Sequence, residues 1–274
     1  VEGGNLIIET SEQLNSLLTQ EPNLKPYIKY LIGAEEYINN KIRWCLWLKD
    51  ANPNEIGKSL YLKKQIQKVK EFRLNSKKDA TRKLANTPSL FAEIKDIGKN
   101  YLLIPLTSSE RRKYIPLGFL NDDYIPTNSC SIIPHATLYE FGVLTSIMHM
   151  TWMKYVCGRL KSDYRYSNKI VYNNFPWPMK PTIKQKEKVK EKAQQILNVR
   201  AEYPKCSLAI LYNPETMPPD LVKAHTELDK AVDACYGKKS FASDAERMEF
   251  LFDLYEQYTA PLSPENEAKK NVKN

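Results

Sequence analysis

Apolar positions along the 274-residue chain change their period several times, and each change predicts an element. Lys41–Lys49 (KIRWCLWLK) is aromatic and apolar between charged ends, and Tyr101–Leu106 (YLLIPL) is a short apolar run broken by Pro105, so both read as strands. Between them Leu60, Leu62, Ile66, Val69 and Phe72 stand among lysines in a pattern that suits an amphipathic helix. Tyr114–Pro134 is rich in Pro, Asn and Asp around short apolar pieces, the mark of strands joined by loops. From Leu138 to Leu160, the residues Phe141, Leu144, Ile147, Met148, Trp152 and Tyr155 recur at three- and four-residue steps. That spacing predicts one helix with one buried face, with Gly158 placed to end it.

Ile170–Tyr172 reads as a strand. The following Phe175–Pro181 (FPWPMKP) holds three prolines that withhold backbone donors and forbid regular structure, so it marks a domain boundary. Beyond it Thr182–Tyr203, Pro218–Tyr236 and Ser243–Tyr258 are helical in period, with Thr182 and Ser243 as N-caps and Gly237 as a stop. The last stretch, Ser263–Asn274, is polar and reads as frayed. The expected fold class is α+β: a mixed α/β domain over residues 1–181, then a small all-α helical bundle over residues 182–274.

Charge sharpens this picture. Lys and Arg outnumber Asp and Glu by 41 to 32, which favours a polyanionic partner without proving one. The excess is local: Lys58–Lys83 holds ten basic residues, among them Lys63, Lys64, Lys68 and Arg73, against Glu71 and Asp79, and Arg111, Arg112 and Lys113 form a second cluster. Such a run is either a solvated helix face or a phosphate-binding surface. Five widely spaced cysteines without a Cys-x-x-Cys suggest neither disulfides nor zinc and fit a reducing cytoplasm. No apolar stretch reaches the length of a membrane span, and an opening Val1 in place of Met points to a piece of something longer.

Catalytic chemistry is imitated more than present. An adenine methyltransferase needs a Gly-rich loop for S-adenosylmethionine and an Asn-Pro-Pro-aromatic tetrapeptide. The nearest approach is Asn173-Asn174-Phe175-Pro176-Trp177, whose proline follows the aromatic residue. Asp79 with Glu93-Ile94-Lys95 has the spacing of a metal-dependent nuclease centre, a spacing that chance also supplies; magnesium-dependent cleavage lost on Glu93→Ala would mark an enzyme of that class. A third class, a module that binds only protein through the FPWP segment, would have negligible affinity for DNA. His135, His149 and His225 stand alone, so metal binding has no support, and His149 and His225 read as structural. In Gly158–Tyr166 (GRLKSDYRY), Lys161, Asp163 and Arg165 alternate, so an extended chain would project all three to one side. Lys can donate to guanine O6 or N7 and Asp can accept from cytosine N4, so Lys161 and Asp163 suit the two members of one G·C pair. A self-satisfied surface salt bridge is the simpler account of the same residues.

Several segments in one order, SSERRKYIPLGF (Ser108–Phe119), FGVLTSIMHMTWMKYVCGRLKSDYRYS (Phe141–Ser167), IVYNNFPWP (Ile170–Pro178), SLAILYNPETMPPDLVKAH (Ser207–His225) and LDKAVDACY (Leu228–Tyr236), resemble the C-terminal portion of the MmeI-type single-chain restriction-modification enzymes. The resemblance covers almost the whole chain and implies a target-recognition domain followed by a helical tail, with no catalytic centre here. It also implies that Lys161 and Asp163 choose one base pair, that Arg165, Asn128 and Ser129 contact neighbouring pairs, and that Glu110 is a weaker base contact. Some relatives carry Glu and Arg where this chain has Lys161 and Asp163, a charge reversal that should exchange the strand carrying guanine. Lys63, Lys64, Lys68, Arg73, Arg111 and Arg112 would hold phosphates. The implied partners are double-stranded DNA and a methyltransferase domain of the same chain. The implied cofactors belong to that parent: S-adenosylmethionine, and magnesium if a nuclease accompanies it.

Overall fold

The computed structural model describes residues 2–260. Among the described residues ten strands follow in order: β1 (Ile7–Ile8), β2 (Ile28–Ile32), β3 (Trp44–Leu46), β4 (Asn100–Pro105), β5 (Thr107–Ser108), β6 (Gly118–Asn121), β7 (Tyr124–Pro126), β8 (Cys130–Pro134), β9 (Gly158–Leu160) and β10 (Asp163–Arg165). The helices are α1 (Ser11–Gln20), α2 (Ala34–Asn39), α3 (Pro53–Lys58), α4 (Leu60–Leu74), α5 (Asp79–Lys83), α6 (Leu138–Leu144), α7 (Ile147–Val156), α8 (Ile183–Ala201), α9 (Leu208–Leu211), α10 (Pro219–Cys235) and α11 (Asp244–Thr259). The architecture is mixed α and β, with a helical region at the C-terminal end.

Three small sheets carry the strands, in the orders β1-β3-β2-β7, β6-β4-β8 and β5-β10-β9. All pairs are antiparallel except β2 with β7. The run at residues 41–49 is a strand only over Trp44–Leu46, whereas the strand expected at 101–106 forms over Asn100–Pro105 with five buried residues, Tyr101–Pro105.

The basic segment is helical. Ser59 caps α4 by accepting from the Leu62 amide at 2.9 Å, and Leu62, Val69 and Arg73 turn inward along one stripe. The helix packs on a small core of its own with Leu6, Leu17, Leu24 and Leu46.

The 138–160 segment departs from one continuous helix. It breaks at Thr145 and Ser146, where the Ser146 hydroxyl takes the Val143 carbonyl at 2.7 Å and the Ile147 amide leaves the helical ladder for Asp229 at 2.8 Å. Buried hydroxyls that bond the nearby backbone offer it an alternative to the helix. Residues 147–153 are buried all round rather than on one face, and α7 ends at Val156, so Gly158 begins a strand instead of closing a helix. Residues 168–172 are likewise no strand but one wide helical turn, closed by Asn173 donating to the Asn168 carbonyl at 2.8 Å. Its carbonyls are claimed locally: Trp152 Nε1 donates to Val171, and the Asn174 amide donates to Lys169 and Ile170.

The tail helices begin where the sequence places them. Thr182 accepts from the Gln185 amide and Ser243 from the Glu246 amide, and Gly237 takes a φ of +75° after α10. Residues 263–274 lie outside the described residues. Across the proline-rich segment the main core continues without a gap, since Phe141 and Leu144 share one apolar cluster with Val189, Ala193, Leu228 and Leu251. Gly142 makes this closeness possible, because a Cβ there would meet a Val189 methyl at 2.6 Å.

Candidate nucleic-acid interface

The GRLKSDYRY segment folds into a hairpin of β9 and β10, registered Leu160 to Asp163, Arg159 to Tyr164 and Gly158 to Arg165. Lys161 and Ser162 form its two-residue turn, and Lys161 takes a φ of +57°. A positive φ at the first central residue matches the twist of such hairpins, at a steric cost for a residue with a side chain. This corrects the expected row of three: Asp163 and Arg165 share one face of β10, whereas Lys161 is exposed at the hairpin tip. Among the described residues Lys161 has no acidic partner, so it and Asp163 are not a self-satisfied pair.

The opposite face of the hairpin anchors it. Tyr164 is buried beneath the Arg159 guanidinium, 4.2 Å from its ring centre, and Arg159 also donates to the Ser162 carbonyl at 2.9 Å. Tyr166 is buried next, its hydroxyl 3.0 Å from His149 Nε2. β10 joins β5 through Tyr164–Ser108 and Arg165–Thr107.

The loop after β5 reaches Asp163 as well. The Glu110 amide donates to Asp163 Oδ1 at 3.3 Å, and the Glu110 carboxylate lies 3.6 Å from Arg159. Glu110 therefore braces the hairpin. Arg112 is half-buried, 3.5 Å from the Ser108 hydroxyl; burial pulls its pKa below the ordinary arginine value, and the Asp163 charge opposes that shift.

A groove of about 630 Å³ runs between this sheet and the first, lined by Arg43, Arg112, Thr127, Asn128, Ser129 and Asp163 among others. Three candidates from distant parts of the sequence, Asp163, Asn128 and Ser129, thus meet at one place. Asn128 is exposed, and its amide has no protein partner among the described residues. Ser129 is committed to the fold: its hydroxyl accepts from the Ala34 amide at 2.9 Å and lies 2.8 Å from the Thr127 hydroxyl. Arg43, passed over in the sequence, enters the groove from the end of the strand run. It is held by Glu36 at 2.9 Å, a buried carboxylate that also accepts from the Gly33 amide. Its position in a charged flank gave no sign of this.

The basic residues divide. Lys63, Lys64 and Lys68 are exposed on α4 and have no acidic partner among the described residues. Arg111 is exposed but ion-paired with Glu215. Arg73 cannot be a phosphate contact in this fold. It is wholly buried and donates to the carbonyls of Leu84, Thr87 and Leu90 at 2.7–2.8 Å and to Glu2 at 3.2 Å.

The imitated centres are engaged elsewhere. Asp79 pairs with Arg82, and the Lys95 ammonium donates to the carbonyls of Thr127 and Cys130. Among the described residues no group of three or more His, Cys, Asp or Glu is placed to hold a metal ion. The Asn174 amide is spent on backbone carbonyls and Phe175 is buried, so the Asn173–Trp177 segment does not fit an adenine-holding tetrapeptide. No helix of the described residues is long and apolar enough to cross a membrane.

Comparison with known proteins places this geometry. The chain is 41% identical over 258 residues to DNA methyltransferase A of Bacillus subtilis (strain 168), an alignment covering 94% of this chain and 29% of that protein. It superposes on the solved structure of the Type IIL restriction-modification enzyme MmeI in complex with DNA with a TM-score of 0.91 at 46% identity, covering 94% of this chain and 34% of that one. The chain thus spans about a third of the length of the relatives it matches. The family described as "MmeI, target recognition domain" matches residues 1–179, and "MmeI, C-terminal domain" matches residues 181–263. The chain belongs to the MmeI family, as its target recognition domain followed by its C-terminal domain.

Proposed function

We propose that this chain reads the sequence of duplex DNA for a larger adenine-N6 methyltransferase of a restriction-modification system. The observation that carries the reading is that Asp163, from the hairpin, and Asn128, from a loop 35 residues earlier, line one groove, with the Asn128 amide unpartnered among the described residues. Lys161 at the tip donates to guanine, and Asp163 accepts from the cytosine amine of the same pair. Asn128 offers the donor and acceptor that match an adenine edge. Arg165 contacts a neighbouring pair, Ser129 acts by fixing the loop that carries Asn128, and Glu110 acts by holding Asp163 and Arg159. Lys63, Lys64, Lys68, Arg111 and Arg112 neutralise phosphates and set affinity without reading sequence.

The reaction itself belongs to a methyltransferase region of the same longer chain, which supplies S-adenosylmethionine chemistry to a flipped adenine, with magnesium if a nuclease is joined to it. No catalytic step is assigned to this stretch. Five free cysteines and DNA as substrate are in keeping with a bacterial cytoplasm.

Selection from random duplexes at moderate salt tests the reading, with the wild type beside Lys161→Glu plus Asp163→Arg. An enriched site is expected, with one G·C position inverted in the double variant by about tenfold or more, and other positions unchanged. Binding without sequence preference, or a preference that the double variant leaves intact, would overturn it.

A further inference from the structure

We infer that Lys95 is a positioning residue for the base-reading loop, pinning from behind the segment that carries Asn128. The inference rests on the reading of Asn128 as a base contact. Thr127–Ser129 join β7 to β8, and the Asn128 amide has no protein partner among the described residues, so only the backbone of this loop sets its aim. That backbone is tied at several points. The Thr127 amide donates to Ile32 at 2.8 Å and the Leu106 amide to Ser129 at 3.0 Å, which fixes the loop to the strands in front of it.

Lys95 supplies the tie from the rear. It comes from a stretch with neither helix nor strand, is partly buried, and donates through Nζ to Thr127 O at 3.3 Å and Cys130 O at 3.1 Å, one carbonyl on each side of Asn128-Ser129. Cys130 needs such a donor. β8 is the outer strand of its sheet, and Cys130 faces Pro105 as a non-hydrogen-bonded pair next to the Leu106–Ser129 bond, so its carbonyl points away from β4 to a side with no further strand of that sheet. Thr127 and Asn128 line the groove on one side and a second cavity of about 270 Å³ on the other, and Lys95 belongs to the second. The loop is therefore a thin wall between the two, and the lysine stands behind it. A cation shared by two carbonyls that bracket a reading residue makes the loop rigid, and rigid support is what a base contact requires.

The experiment measures binding of the chain to duplexes with single base-pair changes, for wild type, Lys95→Met, Lys95→Arg and Asn128→Ala, with amide exchange of the free proteins alongside. Asn128→Ala and Lys95→Met are expected to lose discrimination at the same base pair, by roughly fivefold or more, and to keep it elsewhere. Lys95→Arg, which retains donors at similar reach, keeps the wild-type preference. In free Lys95→Met the Cys130 amide, bonded to Thr127 O, exchanges faster, while Leu102 and Leu103 of β4 stay protected. If Asn128→Ala changes no discrimination, the reading of Asn128 fails. If Asn128→Ala relaxes one pair and Lys95→Met relaxes none, or all equally with a lowered melting temperature, the positioning role fails. Unchanged exchange at Cys130 overturns the clamp whatever the DNA shows.

Discussion

Arg73 shows how much one side chain can hold. Its guanidinium sits at zero exposure on the inner face of α4 and satisfies three carbonyls of the turn over residues 84–90, with Glu2 as counter-charge. Arg73→Met removes the buried charge that pairs with Glu2 and the donors that tie the three carbonyls to α4, so unfolding free energy should fall by about 3 kcal/mol. A urea titration measures this directly, and a midpoint within error of the wild type would show that the network contributes nothing net. The sequence contained the clue. Arg73 follows Val69 by four residues and Leu62 by eleven, on the stripe that turns inward, and its charge alone made it look like one more phosphate contact. Lys95 was misleading for the opposite reason: a nuclease-like spacing drew attention to it, whereas its partners, Thr127 and Cys130, lie over thirty residues away. Asp163 stood out from its alternation with Lys161 and Arg165, and Asn128 only through family resemblance; their meeting was not readable, because no local pattern brings a hairpin and a distant loop to one groove.

Elements whose order is set locally were the readable ones. α4, α8, α10 and α11 follow from period and caps, and β4 from its apolar run. The break between α6 and α7 was not readable, because the group that captures the Ile147 amide is Asp229, 82 residues on. Nor was the wide turn at 168–172, whose carbonyls go to Trp152 and Asn174. On α4 itself the geometry predicts function. Lys64 and Lys68 are one turn apart and lie away from the buried stripe of Leu62, Val69 and Arg73, with Lys63 on its flank. Changing Lys63, Lys64 and Lys68 together to Gln should leave the fold and the base preference unchanged. If all three hold phosphates, the slope of log affinity against log salt should fall by about 3, at roughly 0.9 per contact. A salt series on one duplex decides; an unaltered slope would make this helix face merely solvated.

At the scale of the molecule, a buried polar chain joins the tail helices to the recognition region. Tyr114 stacks on His225 at 4.0 Å and donates to Asp229, Asp229 holds the start of α7, and His225 meets the Tyr212 hydroxyl at 2.9 Å. Arg200 extends the link to the Leu117 carbonyl. His149, under the β9–β10 hairpin, is buried in the same way. Burial lowers its pKa to about 3 and lowers that of His225 well below the ordinary value, so both stay neutral in the folded protein. In the unfolded chain each takes a proton near pH 6.5. Below that pH the unfolded state binds more protons than the folded one, so stability falls as the pH falls, by about 1.4 kcal/mol per pH unit for each histidine. Asp229, whose pKa burial raises to about 6, acts in the opposite direction: between pH 6 and its unfolded value near 3.8 the folded state holds the extra proton. The histidine contribution is therefore isolated by comparison with His149→Gln, which can still meet the Tyr166 hydroxyl but cannot titrate. Between pH 7 and pH 5 the wild type should lose about 2 kcal/mol more than the variant, measured by urea unfolding at both pH values. Equal losses would mean that His149 is protonated within the folded protein, and that the packing of Tyr166 beneath the hairpin opens to admit the charge.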